Sequence, residues 1–421
     1  MVAAPVSTSV AGSAWSASLL AALPVPAGPL APVQERGRLA LSARPLPGRR
    51  DEDWRFTDLA ALTALDPLSL AAPPPPSQQQ PPAAAQVLRL QLDSDDDPLA
   101  GVQLPAGLSP LTEPELKQVL GQALEANGSR DQWPVLLNKA VASRVLALRV
   151  RGRVAPVLEL VSDAGVGPGL LPLRVCLVLE EDASLSLLQV HQSGGANLTS
   201  VLVEALLGRG ASLHHGLLAA GAPDSVLLAQ VAVAQEPASE VTLVAATAGW
   251  GLVRFEPRLH QVEGAARSRL RGLQVVSQRQ CADTHSQMLF GGPDGSLDQL
   301  HKVIADDAGR SVFNGAVRVP RAAQRTDAAQ LSRSLLLSDR ARVDTKPELE
   351  IVADDVRCAH GATVSRLQQD ELFYLQSRGI AADRAARLLL RGYCEEVLRD
   401  LPAAAAAWQP LSIVLGTPND R

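Results

Sequence analysis

Cys358 and His360 stand two residues apart and offer the donor types and spacing of a metal site. In an extended segment both face the same side, with Cα atoms about 6–7 Å apart. A soft thiolate and an imidazole at that separation can bind one iron or one edge of a cluster. The same two residues also suit a buried cysteine beside a hydrogen-bonded histidine, and composition and spacing leave both readings open. Cys281 and His285 have the i,i+4 spacing of helical ligands, but their surroundings read as extended, which sets the Cα atoms about 13 Å apart. His214 and His215 are adjacent in an expected strand and therefore project from opposite faces. His191, His260 and His301 read as ordinary satisfied or exposed histidines.

Other signatures are missing. None of the lysines (Lys117, Lys139, Lys302, Lys346) follows a glycine, so no P-loop exists and the chain itself is expected to bind no nucleotide. HExxH and GxSxG are absent, which removes the common zinc-protease and hydrolase signatures. Gly165, Gly167 and Gly169 lead into an expected strand and not a helix, against a dinucleotide loop. The acidic run Asp93–Asp97 reads as a solvated loop.

The 421 residues are 46% hydrophobic and 20% charged, a globular composition long enough for two or three domains. A net charge of −5 supplies no basic field for nucleic acid or anionic lipid. Aromatic content of 3% argues against stacking platforms. The four cysteines are dispersed, without a CxxC, which fits free thiols in a reducing compartment. No apolar run reaches membrane-spanning length, and no charge precedes Glu35 as a secretory or transit signal would require. Cytoplasm is the expected location.

The elements that must position these residues follow from pattern. Residues 1–72 read as helical pieces, Trp15–Leu23 and Gln34–Ala43 among them, and the Pro/Gln-rich stretch 73–85 reads as a linker. Residues 86–352 read as a β core with a helical insertion near 112–142, opened by a Thr112/Glu115 capping box. Short β-rich runs such as Val145–Val150, Ser200–Leu206, Val226–Ala234 and Val312–Val319 follow one another without helical crossovers. No fixed-period repeat is visible, so a sandwich, a barrel and a solenoid all fit. Residues 353–421 read as a helical region. There Gln369–Arg378 is expected to carry Leu372, Phe373 and Leu375 on one side, with Gly379 as the C′ residue. A chain ending at Asp370 is expected to keep its β body.

Residues 344–380 read DTKPELEIVADDVRCAHGATVSRLQQDELFYLQSRGI. This stretch resembles the signature region of the SufB/SufD family, as do Phe313–Gly315, AQRTDAAQ at Ala323–Gln330, LLLS at Leu335–Ser338 and DEDWRFTDL at Asp51–Leu59. The pattern is closer to SufD than to SufB, because Ala359–Thr363 is not an EHEAT-type sequence and Leu375 stands where SufB chains tend to place a cysteine.

The resemblance implies a mainly β fold: a right-handed parallel β-helix flanked by N- and C-terminal helical regions. It implies a non-catalytic scaffold that pairs with a SufB-like subunit, and it leaves open a homodimer when the chain is alone. It also implies that a SufC-like ATPase docks on the C-terminal helices, for which Leu372, Phe373, Leu375 and Arg378 are the candidates. A transient iron–sulfur cluster would be shared with the partner. His360 is the candidate ligand that the family match supports, and Cys358 the weaker one. Two rivals remain: a purely structural partner without cluster contact, and a carbohydrate-active β-helix enzyme, which the low aromatic content disfavours.

Overall fold

The computed structural model describes residues 8–74, 80–82, 86–93 and 97–416, with side chains from residue 14. Parts of the expected linker (75–79 and 83–85) and of the acidic run (94–96) lie outside the described residues.

The fold is mainly β, a parallel β-solenoid of about eight turns between N- and C-terminal helices. Two nine-stranded sheets form its walls. One runs from Leu108–Pro110 and Leu146–Val150 to Arg310–Val319 and Arg342–Ile351, and is here called the N-sheet. The other runs from Val87–Gln91 to Thr326–Leu336 and Val356–Ser365, and is called the C-sheet. All pairings are parallel except that of Leu108–Pro110 with Leu146–Val150. From Leu146–Val150 onward successive strands in the chain alternate between walls, so the coil itself returns each strand beside its parallel neighbour. That removes the need for the helical crossovers that parallel sheets otherwise require.

The repeat is conformational, which is why no sequence period is visible. In-register partners lie 26 residues apart at Val226 and Leu252 but 32 apart at Arg310 and Arg342. What recurs is the corner before the C-sheet strands from Ser184–Gln192 to Thr326–Leu336, where Asp182, Gly210, Ala238, Ala265, Asp294 and Arg325 all have positive φ. Their N–H groups join the corners into a ladder: Gly210 donates to Pro237 O, Ala238 to Ala265 O, Asp294 to Gln324 O and Arg325 to Asp355 O. Three different residue types besides glycine hold this left-handed position, so the backbone repeats while the sequence does not.

Inside, Leu, Val and Ala from both walls form one continuous core, including Leu187, Leu213, Val231, Val303 and Val317. Outside, the N-sheet is covered by the N-terminal helices and by the helical insertion, whose members are Glu113–Val119, Gln122–Ala126 and Trp133–Val141. The capping box forms as expected, with the Thr112 N–H donating to Glu115 Oε2 at 2.7 Å. Trp133–Val141 is wedged between the helix Ala31–Ser42 and the N-sheet, and nearly all of it is buried. The approach is so close that a Cβ on Gly37 would lie 2.6 Å from Ala140 N.

The C-sheet's outer face receives the C-terminal region. Cys394, Val397, Leu398, Leu401, Trp408 and Val414 pack on Leu188, Val190, Leu218, Val244 and Leu273. Lys302 pins the helix Ala382–Leu398 in place, donating from Nζ to Tyr393 O at 2.7 Å and to Glu396 Oε2 at 2.5 Å.

Two expectations change. The β body continues past residue 352, because Val356–Ser365 pairs in register with Thr326–Leu336. The helices beyond Asp370 cover the apolar outer face of the C-sheet, which a chain ending there would expose. Leu372, Phe373 and Leu375 do not share one side: Leu372 and Leu375 are half-buried, while Phe373 is 72% exposed. At 100° per residue, positions 373 and 375 fall 160° apart around the helix.

Candidate functional site

Strand pairing stops at Arg342–Ile351 and Val356–Ser365, each bonded to a neighbour on one side only. The solenoid therefore ends in two unpaired strand edges, a template for further pairing. Alternation and register carry the lumen columns into this last turn. Val343, Thr345, Pro347 and Leu349 continue the inner N-sheet positions Ser311, Phe313, Gly315 and Val317. On the other wall Val356, Cys358, His360, Ala362 and Val364 continue Thr326, Ala328, Gln330, Ser332 and Ser334. Val343, Leu349, Val356 and Cys358 pack against the lumen core, while Ile351 and Val364 remain 40% and 55% exposed. The end is apolar at its centre and open to solvent.

Cys358 and His360 thus share the inner face of the terminal strand, as their spacing predicts. Cys358 is half-buried, and burial raises its thiol above the ordinary value. His360 is exposed at the rim. Among the described residues no three His, Cys, Asp or Glu side chains converge as a metal-binding group. These two donors would need others from outside the chain to complete a coordination sphere.

Leu372, Phe373, Leu375 and Arg378 lie on a different element. Gln369–Ser377 has no buried residue and rests on the helix Ala382–Leu398. It ends as expected, with Gly379 at φ +82° and the Ile380 N–H bonded to Leu375 O at 3.2 Å. Phe373 and Tyr374, 72% and 57% exposed, form its solvent face, and the Arg378 guanidinium sits 5.2 Å from the Tyr374 ring centroid. Tyr374 was not singled out by sequence, although its position one residue after Phe373 was the available signal.

The remaining histidines are structural. His214 Nε2 lies 2.8 Å from Asp400 O on the outer face, and His215 Nε2 lies 2.8 Å from Gln189 Oε1 in the lumen, so the two do point apart. Burial lowers His191 to about 4 and His215 and His301 to about 3, leaving them neutral. Cys281 is buried under the N-terminal helices, with its thiol pushed up to about 12, and shares no site with His285.

A buried charge cluster escaped sequence reasoning. Arg254 is fully buried, with Nε 2.8 Å from Glu256 Oε1 and Nη1 2.5 Å from Asp283 Oδ2. Burial alone would raise Asp283, but Arg254 and His285 hold its carboxyl down at about 2. The tryptophan motif closes over this cluster. The Trp54 ring centroid lies 4.0 Å from the Arg254 guanidinium, Asp53 O accepts from Arg254 at 2.8 Å, and Thr57 Oγ1 donates to Asp283. Asp51–Leu59 is therefore the clasp that fixes the N-terminal region to the N-sheet.

The SUF system FeS cluster assembly SufBD core domain family matches residues 163–393, more than half of the chain. An iron–sulfur cluster assembly SufBD family protein of Synechocystis is 32% identical over 388 residues, covering 86% of this chain and 85% of that protein. Protein ABCI7, chloroplastic, of Arabidopsis thaliana is 36% identical over 233 residues, 54% of this chain and 49% of that one. The iron–sulfur cluster assembly protein SufD of Escherichia coli is 39% identical over 133 residues, 32% of this chain and 31% of its own length. With its core domain matched and one relative aligned over most of both lengths, the chain belongs to the SufBD family of the SUF iron–sulfur cluster assembly system.

Proposed function

We propose that this chain is a SufD-type, non-catalytic scaffold subunit that pairs with a SufB-like partner through the open end of its solenoid. The observation that carries the reading is the terminal turn, where two unpaired strand edges and a partly exposed apolar lumen coincide with Cys358 and His360. A second chain pairing there would cover the edges and bring its own donors to the rim. His360 would then hold one corner of a nascent iron–sulfur cluster, which is the cargo of the assembly. Imidazole is a weaker donor to iron than thiolate, which suits a site that must release its product. Cys358 has the lesser role, since burial raises its thiol above the ordinary value and it packs against the lumen core.

A SufC-like ATPase would dock on Gln369–Ser377, with Phe373 and Tyr374 as apolar contacts and Arg378 beside them. Leu372 and Leu375 act from beneath, holding that helix on its neighbour. No helix among the described residues is long and apolar enough to cross a membrane, and the cytoplasm is the proposed location. The test is anaerobic co-purification with candidate partners, followed by iron and sulfide analysis. His360→Ala should leave assembly intact and cut cluster formation. Wild-type cluster yield from that complex would make the chain a purely structural partner.

A further inference from the structure

Behind His360 on the same lumen wall stand Gln330 and then Gln299, in register on Val356–Ser365, Thr326–Leu336 and Ser296–Ala305. Both glutamines are buried. Their amides run in one direction: Gln299 Nε2 donates to Ser286 Oγ at 2.7 Å, and Gln330 Nε2 donates to Gln299 Oε1 at 3.0 Å. Room for this ladder comes from the opposite wall, where a Cβ on Gly315 would lie 2.2 Å from Gln330 Nε2. The ladder ends on an acceptor, because Gln330 Oε1 is buried and has no hydrogen-bond partner among the described residues. A buried carbonyl oxygen calls for a donor. The next layer of the column, about 4.8 Å further along the sheet, carries the imidazole of His360.

We propose that Gln330 is the positioning residue of His360. The His360 ring, exposed at the rim, makes no hydrogen bond to this oxygen in the structure; turning it so that one ring N–H donates to Gln330 Oε1 would fix the tautomer and leave the other ring nitrogen, with its free lone pair, facing the rim. Gln299 and Ser286 act through Gln330 by setting which end of its amide faces the histidine. The hydrogen bond stands on the ladder alone, while its consequence for a metal rests on the reading of His360 as a cluster ligand.

The experiment uses the full chain labelled with ¹⁵N-histidine, and long-range ¹H–¹⁵N spectra at pH 8. The His360 signals are identified by their loss in His360→Ala. In the wild type His360 should show a single neutral tautomer. Gln330→Leu should give averaged tautomer shifts. In reconstituted complexes of equal subunit ratio, Gln330→Leu should lower cluster yield about tenfold. An averaged tautomer in the wild type, or an unchanged single tautomer in Gln330→Leu, overturns the proposal. The wild-type spectrum decides alone if the leucine variant does not fold. Loss of the single tautomer in Gln330→Leu with full cluster yield supports the hydrogen bond and removes His360 from the cluster instead.

Discussion

Asp283→Asn should loosen the clasp by an amount the structure allows to be worked out. The carboxyl has no exposed surface, and it lies within 2.5 Å of Arg254 and 3.1 Å of His285. Moved from 3.8 to about 2, it prefers its charged form in the folded chain by about 2–3 kcal/mol over the unfolded one. Asparagine keeps the shape and removes the charge, so this is the expected loss at pH 7. It rises toward 3–5 kcal/mol if Arg254 is left as an uncompensated buried charge. A depressed carboxyl contributes fully above its unfolded value near 4 and is lost only as pH falls through about 2. The gap between wild type and variant should therefore not close from pH 7 to pH 5, since the carboxyl stays charged across it. Urea denaturation at several pH values measures it, and hydrogen exchange at Glu52–Trp54 shows whether the clasp opens. Arg254→Met should cost less in the Asp283→Asn background than in the wild type. A gap below about 0.5 kcal/mol, or one that closes between pH 7 and pH 5, would refute the argument.

Phe373→Ala combined with Tyr374→Ala should leave stability within about 0.5 kcal/mol, because both side chains face solvent, yet abolish pull-down of the ATPase partner. Lys302→Met should release the helix Ala382–Leu398 from the C-sheet by removing its bonds to Tyr393 O and Glu396; limited proteolysis should then cut the C-terminal region faster while the β body resists. Overall stability should fall as pH drops below about 6.5, since His191, His215 and His301 are neutral and buried with values near 3–4, and the unfolded chain takes up those protons first. His→Gln at any of these positions should flatten that slope, as read by denaturation midpoints between pH 7 and pH 5.

The parts of this protein that depend on neighbours along the chain are legible before the fold is known. The Thr112/Glu115 cap, the Gly379 helix end and the shared face of Cys358 and His360 are local geometry, and the structure keeps all three. The family pattern between Asp344 and Ile380 carried the solenoid with it. The strands Cys281–Phe290 and Ser296–Ala305 were harder to read, because lumen glutamines and outer-face charges break the apolar pattern that marks a strand. The coil repeat was hidden because it resides in φ angles and corner hydrogen bonds, which tolerate Asp, Ala, Arg or Gly at one position and coils of unequal length. Folding alone brings together what lies far apart in sequence: Thr57 against Asp283, Lys302 against Glu396, and the open turn that places His360 above Gln330 and Gln299. Those contacts join residues tens to hundreds of positions apart, and no local propensity encodes them. They arise because stacking successive coils buries a common lumen, and whatever each coil carries at a given register is brought into line with the next.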